Sequence, residues 1–306
     1  MDLSGGSIFP DALRWLWRKE KHIPQIVTKG DLAVDMTLHR LLIEGEGWMP
    51  VIEGLAFADA PCTGEAGNFY FSDMRPPAAG VYRIAPDGTK TKLSDEGVGG
   101  MKYGPDGRLY ACQGAKRRVI AITPATGAIA IMSEDVQPND LVVTHHGHIY
   151  ITETGKKQIT FLDTKTKEKR AADTGLLNPN GITLSPDHGT LDAKGPYMTL
   201  RRPIDPKGEF KFNEPPPYQK ASRGDGMTSD TLGRYYVTSA VGLQVFDPTG
   251  RLCGVLIKPQ LDKPLTSCVP SGPNREYLYV TNGDKIFRRK VQAVGNTITR
   301  LAATAP

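Results

Sequence analysis

Four oxygen-bearing side chains of this 306-residue chain recur at one phase of an internal repeat. They are Asp59, Asn139, Asn180 and Asp225, which begin the strand-like segments DAPC, NDLVV, NGITLS and DGMTSD. Two carboxylates and two amide oxygens form a ligand set that suits Ca²⁺, Mg²⁺ or Mn²⁺. A cation held by them would polarise a carbonyl oxygen and lower the pKa of bound water, which is chemistry suited to hydrolysis.

The repeat that positions these residues has the pattern G-x-aromatic/aliphatic-Y-x-[ST]. Its copies are GNFYFS, GRLYAC, GHIYIT, GRYYVT and the degenerate EYLYVT, with tyrosines separated by 40, 40, 86 and 43 residues. Because 86 is twice 43, a sixth and degraded copy is expected near Gly189. Each copy continues into alternating segments that end in Asp-Gly or Thr-Gly turns, the pattern of antiparallel hairpins. About four strands per period of about 40 residues indicate propeller blades, so the sequence predicts an all-β, six-bladed β-propeller.

The predicted propeller covers residues 36–306, and residues 1–35 form an N-terminal extension outside the repeat. Joining segment 36–52 to the strands within 277–300 in one blade would close the ring and cover its edges. Within the extension, SIFPDALRWLWRKEK is interpreted as a disordered or covering segment, with a short amphipathic helix as the alternative. The proline-rich loop 203–220 occupies much of the long interval, so the fourth blade is predicted to be incomplete and to lack about one hairpin.

The phase comparison predicts that the four oxygen ligands meet near the channel axis. Counting back eight residues from the repeat glycines reaches Asp59, Gly99, Asn139 and Asp225, and counting back nine from Gly189 reaches Asn180. Equivalent positions on innermost strands of successive blades face the same axis. The alternative is that Asp and Asn before glycine are ordinary turn residues.

Asp225 is the candidate general base, because a carboxylate beside the cation can take a proton from water. Asp140 and Glu153 are second candidates. Their alternatives are a bond from Asp140 to the neighbouring backbone and a solvent-facing position for Glu153 on its strand. His145 and His146 are predicted to be surface residues, since adjacent side chains of a strand point to opposite faces.

Several function classes are disfavoured by composition. The net charge of +5 is scattered, and no recognition helix or aromatic-plus-basic motif accompanies it, which argues against nucleic-acid binding. The four cysteines form no C-x-x-C pair and are predicted to be buried free thiols. The sequence contains no apolar stretch of membrane-spanning length, no clear signal peptide and no G-x-S-x-G motif. A soluble protein is expected, cytoplasmic by default, and either monomeric or a weak homo-oligomer.

Over residues 40–290, these motifs resemble those of the SMP-30/gluconolactonase/luciferin-regenerating-enzyme family. The matching segments are FADAP, QPNDL, NPNGI and GDGM, which contain Asp59, Asn139, Asn180 and Asp225. The resemblance implies a six-bladed propeller, one divalent cation and lactone hydrolysis. It further implies that Asp59, Asn180 and Asp225 are metal ligands, that Asp225 is the base, and that Asn139 holds metal or substrate.

Two positions depart from the family pattern. Asp59 replaces the usual Glu, which shortens the ligand arm by one methylene. Gln137, implied as a substrate contact, is neutral where animal members often have a basic residue. The resemblance leaves the metal open among Ca²⁺, which is favoured, and Mg²⁺, Mn²⁺ and Zn²⁺.

The leading functional prediction is therefore metal-dependent opening of a small lactone, such as a sugar aldonolactone, to its hydroxy acid. One alternative is a non-catalytic, metal-stabilised propeller that binds a protein or a carbohydrate, because a fold does not fix a function. The other is a lyase or condensing activity of the strictosidine-synthase kind.

Overall fold

The computed structural model describes residues 31–194, 199–211 and 224–296. The segment SIFPDALRWLWRKEK lies outside these residues, as do 212–220 of the proline-rich loop. The first described elements are β1 (Leu32–Ala33), the helix α1 (Met36–Leu41) and β2 (Met49–Ile52). Two 3₁₀ turns follow later, at Glu65–Gly67 and Gly114–Lys116.

The remaining strands form six antiparallel sheets in chain order. Blade 1 contains β3 (Ala58–Thr63), β4 (Phe69–Asp73), β5 (Gly80–Ile84) and β6 (Lys90–Ser94), and blade 2 contains β7 (Met101–Tyr103), β8 (Leu109–Gln113), β9 (Arg118–Ile122) and β10 (Ile129–Glu134). Blade 3 contains β11 (Leu141–Val143), β12 (His148–Glu153), β13 (Gln158–Asp163) and β14 (Lys169–Thr174), and blade 4 contains β15 (Ile182–Leu184), β16 (Thr190–Lys194) and β17 (Thr199–Pro203). Blade 5 contains β18 (Met227–Ser229), β19 (Tyr235–Thr238), β20 (Gly242–Phe246) and β21 (Leu252–Ile257), and blade 6 contains β22 (Leu265–Ser271), β23 (Tyr277–Asn282) and β24 (Lys285–Lys290).

The innermost strands close into a ring, since each contacts the innermost strand of the next blade and β22 contacts β3. The six-bladed β-propeller predicted from the repeat is therefore confirmed. The core lies between neighbouring blades, where Val81 and Met101, for example, belong to one apolar cluster.

The five repeat tyrosines are all buried between blades, which explains why the repeat is legible in the sequence. They are Tyr70, Tyr110, Tyr150, Tyr236 and Tyr279. A buried phenol also needs a hydrogen-bond partner. The Tyr110 hydroxyl donates to Asp106 Oδ2 and that of Tyr236 to Asp230 Oδ2, both at 2.7 Å.

The ring closes in blade 6, where β2 pairs with β24 and thereby joins an early strand to late ones as predicted. The first part of segment 36–52 is not a strand, however, because Met36–Leu41 is helical. Asp35 caps this helix by accepting a hydrogen bond from Thr37 N at 2.7 Å, and Leu38 and Leu41 enter the core between blades 5 and 6.

Blade 4 contains more structure than the sequence indicates. Among the described residues the fourth blade is incomplete, as predicted. The more specific prediction that about one hairpin is absent is wrong, because β16 and β17 form a hairpin with five residue pairs. In the described part of the chain the blade has three strands. Blade 4 therefore differs from blades 1 to 3 in that its described residues include no fourth, outermost strand.

The N-terminal end of the described chain adds to blade 5, because β1 pairs with β21 as a fifth strand. The division into residues 1–35 and 36–306 stays a prediction. All four cysteines are free and buried, as predicted. No helix in the described ranges has the length and apolar character needed to cross a membrane.

Candidate metal and active site

The innermost strands all begin at the same end of the channel, and a small cavity lies there. Its volume of about 10 Å³ is room for roughly one water molecule or one ion. The lining contains three of the four residues predicted as ligands, namely Asp59, Asn139 and Asp225. The other described lining residues are Ala60, Gly99, Gly100, Met101, Lys102, Asp140, Gly226, Thr266 and Ser267.

Asp59 is carried on a β-bulge of the innermost strand of blade 1. The pairing of β3 with β4 shifts register between Asp59 and Cys62, and Ala60 within the bulge has a φ of 49°. A bulge re-aims the side chain that it carries. Asp59 Oδ1 accepts a hydrogen bond from Ala60 N at 2.8 Å, which fixes the carboxylate at the cavity.

The charge environment of Asp59 favours a cation. Burial, followed by repulsion from Asp225, raises the pKa of Asp59 well above its usual value, and Asp140 adds to the repulsion. Hydrogen bonds from Ala60 and Thr266 oppose only part of this shift. A divalent cation between the carboxylates would offset the repulsion and favour their ionised forms.

Asn180 does not belong to the described lining, but it is tied to the cavity through the next residue. Gly181 N donates to Asp225 O at 3.1 Å, and Asp225 N donates to Thr238 Oγ1 at 2.9 Å. The Oδ1 atom of Asn180 is buried and has no hydrogen-bond partner in the described structure. A buried acceptor without a partner is costly, and a metal ion would satisfy it.

The donors present fit a hard cation. Among the described residues, no three His, Cys, Asp or Glu side chains are arranged to hold a metal ion. The oxygens at this end of the channel instead combine carboxylates with amides, a mixture that Ca²⁺ accepts. The orphaned Asn180 oxygen and the repulsion at Asp59 are the two observations that support the fit.

Asp140 lines the cavity but is engaged by the backbone. Its Oδ1 accepts from Leu141 N at 2.8 Å and its Oδ2 from Ile182 N at 3.3 Å, which links blade 3 to blade 4. Burial raises the pKa of Asp140, and Lys102 offsets part of that shift. These bonds favour a positioning role for Asp140 over that of general base.

Gln137 and Glu153 lie together beside the described lining rather than within it. Gln137 N donates to Glu153 Oε2 at 2.5 Å, and Lys156 forms an ion pair with Glu153 at 2.8 Å. Gln158 and Thr160 also donate to this carboxylate. Burial alone would raise the pKa of Glu153, but these hydrogen bonds lower it. The carboxylate is fully buried, so the solvent-facing alternative is wrong, and its bonds hold the loop that precedes Asn139.

His145 and His146 do not follow the alternation of a strand. They lie in the turn after β11, and their ring centroids are only 4.1 Å apart. The expectation that they point to opposite faces of a strand is therefore wrong. His146 is exposed, whereas His145 is half-buried.

Residues 57–284 match the sequence model of the SMP-30/gluconolactonase/LRE-like region. The chain belongs to this family. A gluconolactonase of Zymomonas mobilis subsp. mobilis is 24% identical over 295 residues, which cover 82% of this chain and 79% of that protein.

Two solved structures share the family's propeller fold with this chain. A gluconolactonase from Xanthomonas campestris has a TM-score of 0.75 and 19% identity, and the match covers 86% of this chain and 95% of that one. Regucalcin from Agrobacterium tumefaciens, described as a calcium-binding protein, has a TM-score of 0.67 and 15% identity, with 84% and 98% covered.

Three polar residues of the lining, Lys102, Thr266 and Ser267, were not predicted from the sequence. Thr266 and Ser267 come from blade 6, whose repeat copy has lost its glycine. Glu276 takes the place of that glycine. Counting back eight residues from it reaches Cys268, which directly follows Thr266 and Ser267 in the sequence. Lys102 could have been found by assigning alternate side chains of β7 to the channel.

Gly181 has no side chain because the next blade is too close. A Cβ atom there would collide with Asp225 O and lie 2.8 Å from Gly226 Cα. We expect Gly181→Ala to displace Asp225, weaken Ca²⁺ binding and lower the free energy of unfolding by about 1–3 kcal/mol. Calorimetric titration with Ca²⁺ and urea denaturation would measure both effects.

The matched control is Gly47→Ala, because a Cβ atom at Gly47 has no neighbour within 4 Å. This variant should match the unmodified protein in both measurements. Equal metal affinity in the two variants would contradict the proposed role of the close approach at Gly181.

Proposed function

We propose that the protein is a divalent-metal-dependent hydrolase that opens a small lactone to its hydroxy acid. The observation that carries this proposal is the convergence of Asp59, Asn139 and Asp225 on one ion-sized cavity at the channel mouth. Membership of a family that includes gluconolactonases supports the same reaction class.

In this proposal Asp59, Asn139, Asn180 and Asp225 hold the cation through oxygen atoms. Ca²⁺ is the favoured ion, because the donors are carboxylates and amides and because a relative with the same fold is described as calcium-binding. Mg²⁺, Mn²⁺ and Zn²⁺ are the alternatives. The chemistry that such an ion supplies to hydrolases is polarisation of a carbonyl oxygen and acidification of water.

Asp225 acts as the general base. Its carboxylate takes a proton from the attacking water, the acyl C–O bond of the ring breaks, and the proton passes to the departing ring oxygen. The hydrogen bonds of its backbone to Thr238 Oγ1 and Gly181 N hold Asp225 at the cavity. The backbone N–H of Asn139 donates a hydrogen bond to Thr152 O at 2.8 Å. This bond positions the residue so that its side-chain amide can contact substrate or metal.

Gln137 is proposed as a further substrate contact. It is half-buried in the segment that leads to Asn139, and its bond to Glu153 fixes the backbone there. A neutral amide at this position suits the hydroxyl groups of a substrate better than a charged group, since it can both donate and accept hydrogen bonds.

Removal of the metal is expected to abolish the activity. Purified protein should release acid from an aldonolactone, lose this activity with a chelator, and regain it when Ca²⁺ or another divalent ion is added in excess. Acid release is followed with a pH indicator, and metal analysis of the purified protein identifies the ion.

The product and the response to the chelator separate the candidate functions. Hydrolysis yields a product that is heavier than the substrate by one water molecule. A lyase yields no product of that mass. Turnover that persists without metal would overturn the proposed mechanism. A protein that binds metal but turns over no lactone would support the non-catalytic alternative.

A further inference from the structure

A second and larger cavity lies at the other end of the channel, where the innermost strands finish. Its volume is about 160 Å³, similar to that of cavities that hold one benzene molecule. Residues near the ends of the innermost strands line it, including Thr63, Val143, Leu184 and Ser229. The small cavity is lined by the beginnings of the same strands, so the two sites lie on one axis.

Lys102 reaches both cavities and gives the larger one its charge. Its Nζ atom lies 4.0 Å from Asp140 Oδ1, which is an ion pair but too long for a hydrogen bond. The described residues that line the larger cavity include no carboxylate. A half-buried cation of this kind gains from an anion that can accept its hydrogen bonds.

His188 supplies a neutral donor. Its Nδ1 atom accepts a hydrogen bond from His145 N at 3.0 Å, which leaves the ring proton on Nε2. Burial, followed by repulsion from His145, lowers the pKa of His188 to about 4, so the ring is neutral near pH 7. An Nδ1 that accepts this bond also disfavours a metal ion on Nε2, because a metal-bound imidazole keeps its proton on the other nitrogen.

Asn296 is the candidate acceptor among the residues that line this cavity. Its amide group donates to Ser229 Oγ at 3.0 Å, while its Oδ1 is buried and has no hydrogen-bond partner in the described structure. Between these polar groups the wall is aliphatic, with Val142, Leu184 and Val269. A ligand that matches the wall has a carboxylate, a short aliphatic body and a hydroxyl group.

We propose that the larger cavity binds a small aliphatic hydroxy acid as its monoanion, with the carboxylate at Lys102 and His188 and the hydroxyl at Asn296. The proposal stands on the residues of this cavity and not on the proposed catalytic function. Its ligand belongs to the chemical class that lactone opening would produce at the other end of the channel.

The test measures binding of 4-hydroxybutanoate by calorimetric titration, with a chelator present so that no metal at the small cavity can hold the anion. The unmodified protein should bind one molecule saturably, and neutral butane-1,4-diol should bind more weakly. Lys102→Met should reduce affinity about tenfold or more, because a charge-assisted hydrogen bond is lost. Lys165→Met, which changes an exposed lysine, should leave the affinity unchanged.

A second pair of variants locates the bound anion. Thr228→Leu adds bulk at a half-buried position of the larger cavity and should abolish binding. Asp225→Asn alters only the small cavity and should preserve it, whether or not the protein hydrolyses lactones. Absence of saturable binding, equal affinity for the diol, or unchanged affinity in Lys102→Met and Thr228→Leu would each overturn the proposal.

Discussion

Replacing Asp225 by asparagine is expected to reduce lactone hydrolysis about 10²–10⁴-fold, the usual contribution of a positioned general base. The substitution preserves the shape of the side chain and an oxygen that can bind metal, but an amide cannot take a proton from water. The backbone bonds from Asp225 N to Thr238 Oγ1 and from Gly181 N to Asp225 O remain, so the fold should be retained. Initial rates at saturating Ca²⁺, together with a circular dichroism spectrum, would test both parts.

Saturating metal is essential to this comparison, because Asp225 is also a proposed ligand and its loss should weaken metal binding. The matched control is Asp262→Asn, which neutralises an exposed carboxylate on another loop and should leave turnover unchanged. If Asp225→Asn retained the activity of that control, Asp225 would not be the base.

The architecture could be predicted because each copy of the repeat fills an equivalent space between blades. Tyr110 and Tyr236 are buried at the same place in their blades and donate to an aspartate at the same distance. Equivalent positions of the repeat therefore lie at the same end of the channel, where Asp59, Asn139 and Asp225 line one cavity.

The fourth blade is harder to predict because a charged pair lies between its strands β16 and β17. Asp192 of β16 lies opposite Arg201 of β17, and the two form a buried ion pair at 3.1 Å. An ion pair at these positions replaces the apolar residues by which a strand is usually detected. The hairpin is therefore absent from the hydrophobic pattern although it is present in the fold.

The functional residues that were missed depend on contacts between blades. The link from Asp140 Oδ2 to Ile182 N joins residues 42 positions apart, and no local pattern signals it. The same is true of Lys102, whose position between two cavities follows only from the closed ring. A repeat predicts equivalent positions, whereas these roles arise where blades differ.

The largest loss of stability is expected when a buried ion pair is broken. This pair joins the start of the described chain to blade 6. Arg289 of β24 is fully buried, and its guanidinium lies 2.7 Å from Asp31 Oδ2. Asp31 Oδ1 also accepts from Ile257 N at 3.1 Å, which ties β1 to blade 5. We expect Asp31→Ala to lower the free energy of unfolding by about 3–5 kcal/mol, because the buried guanidinium of Arg289 loses the carboxylate of Asp31. Urea denaturation followed by circular dichroism would measure the change.

Two further variants separate the cost of burying the Arg289 charge from the stabilisation given by its ion pair with Asp31. In Asp31→Leu/Arg289→Met both charges are replaced by apolar side chains, and most of the lost stability should return because no buried charge remains. Asp95→Ala breaks the exposed ion pair with Lys92, which spans 2.8 Å at the surface, and should change stability little because solvent screens it. If Asp31→Ala were no more destabilising than Asp95→Ala, the strand β1 would not be held to the propeller by this pair. If the double variant were as unstable as Asp31→Ala, the loss would come from the bond to Ile257 N and not from the charge of Arg289.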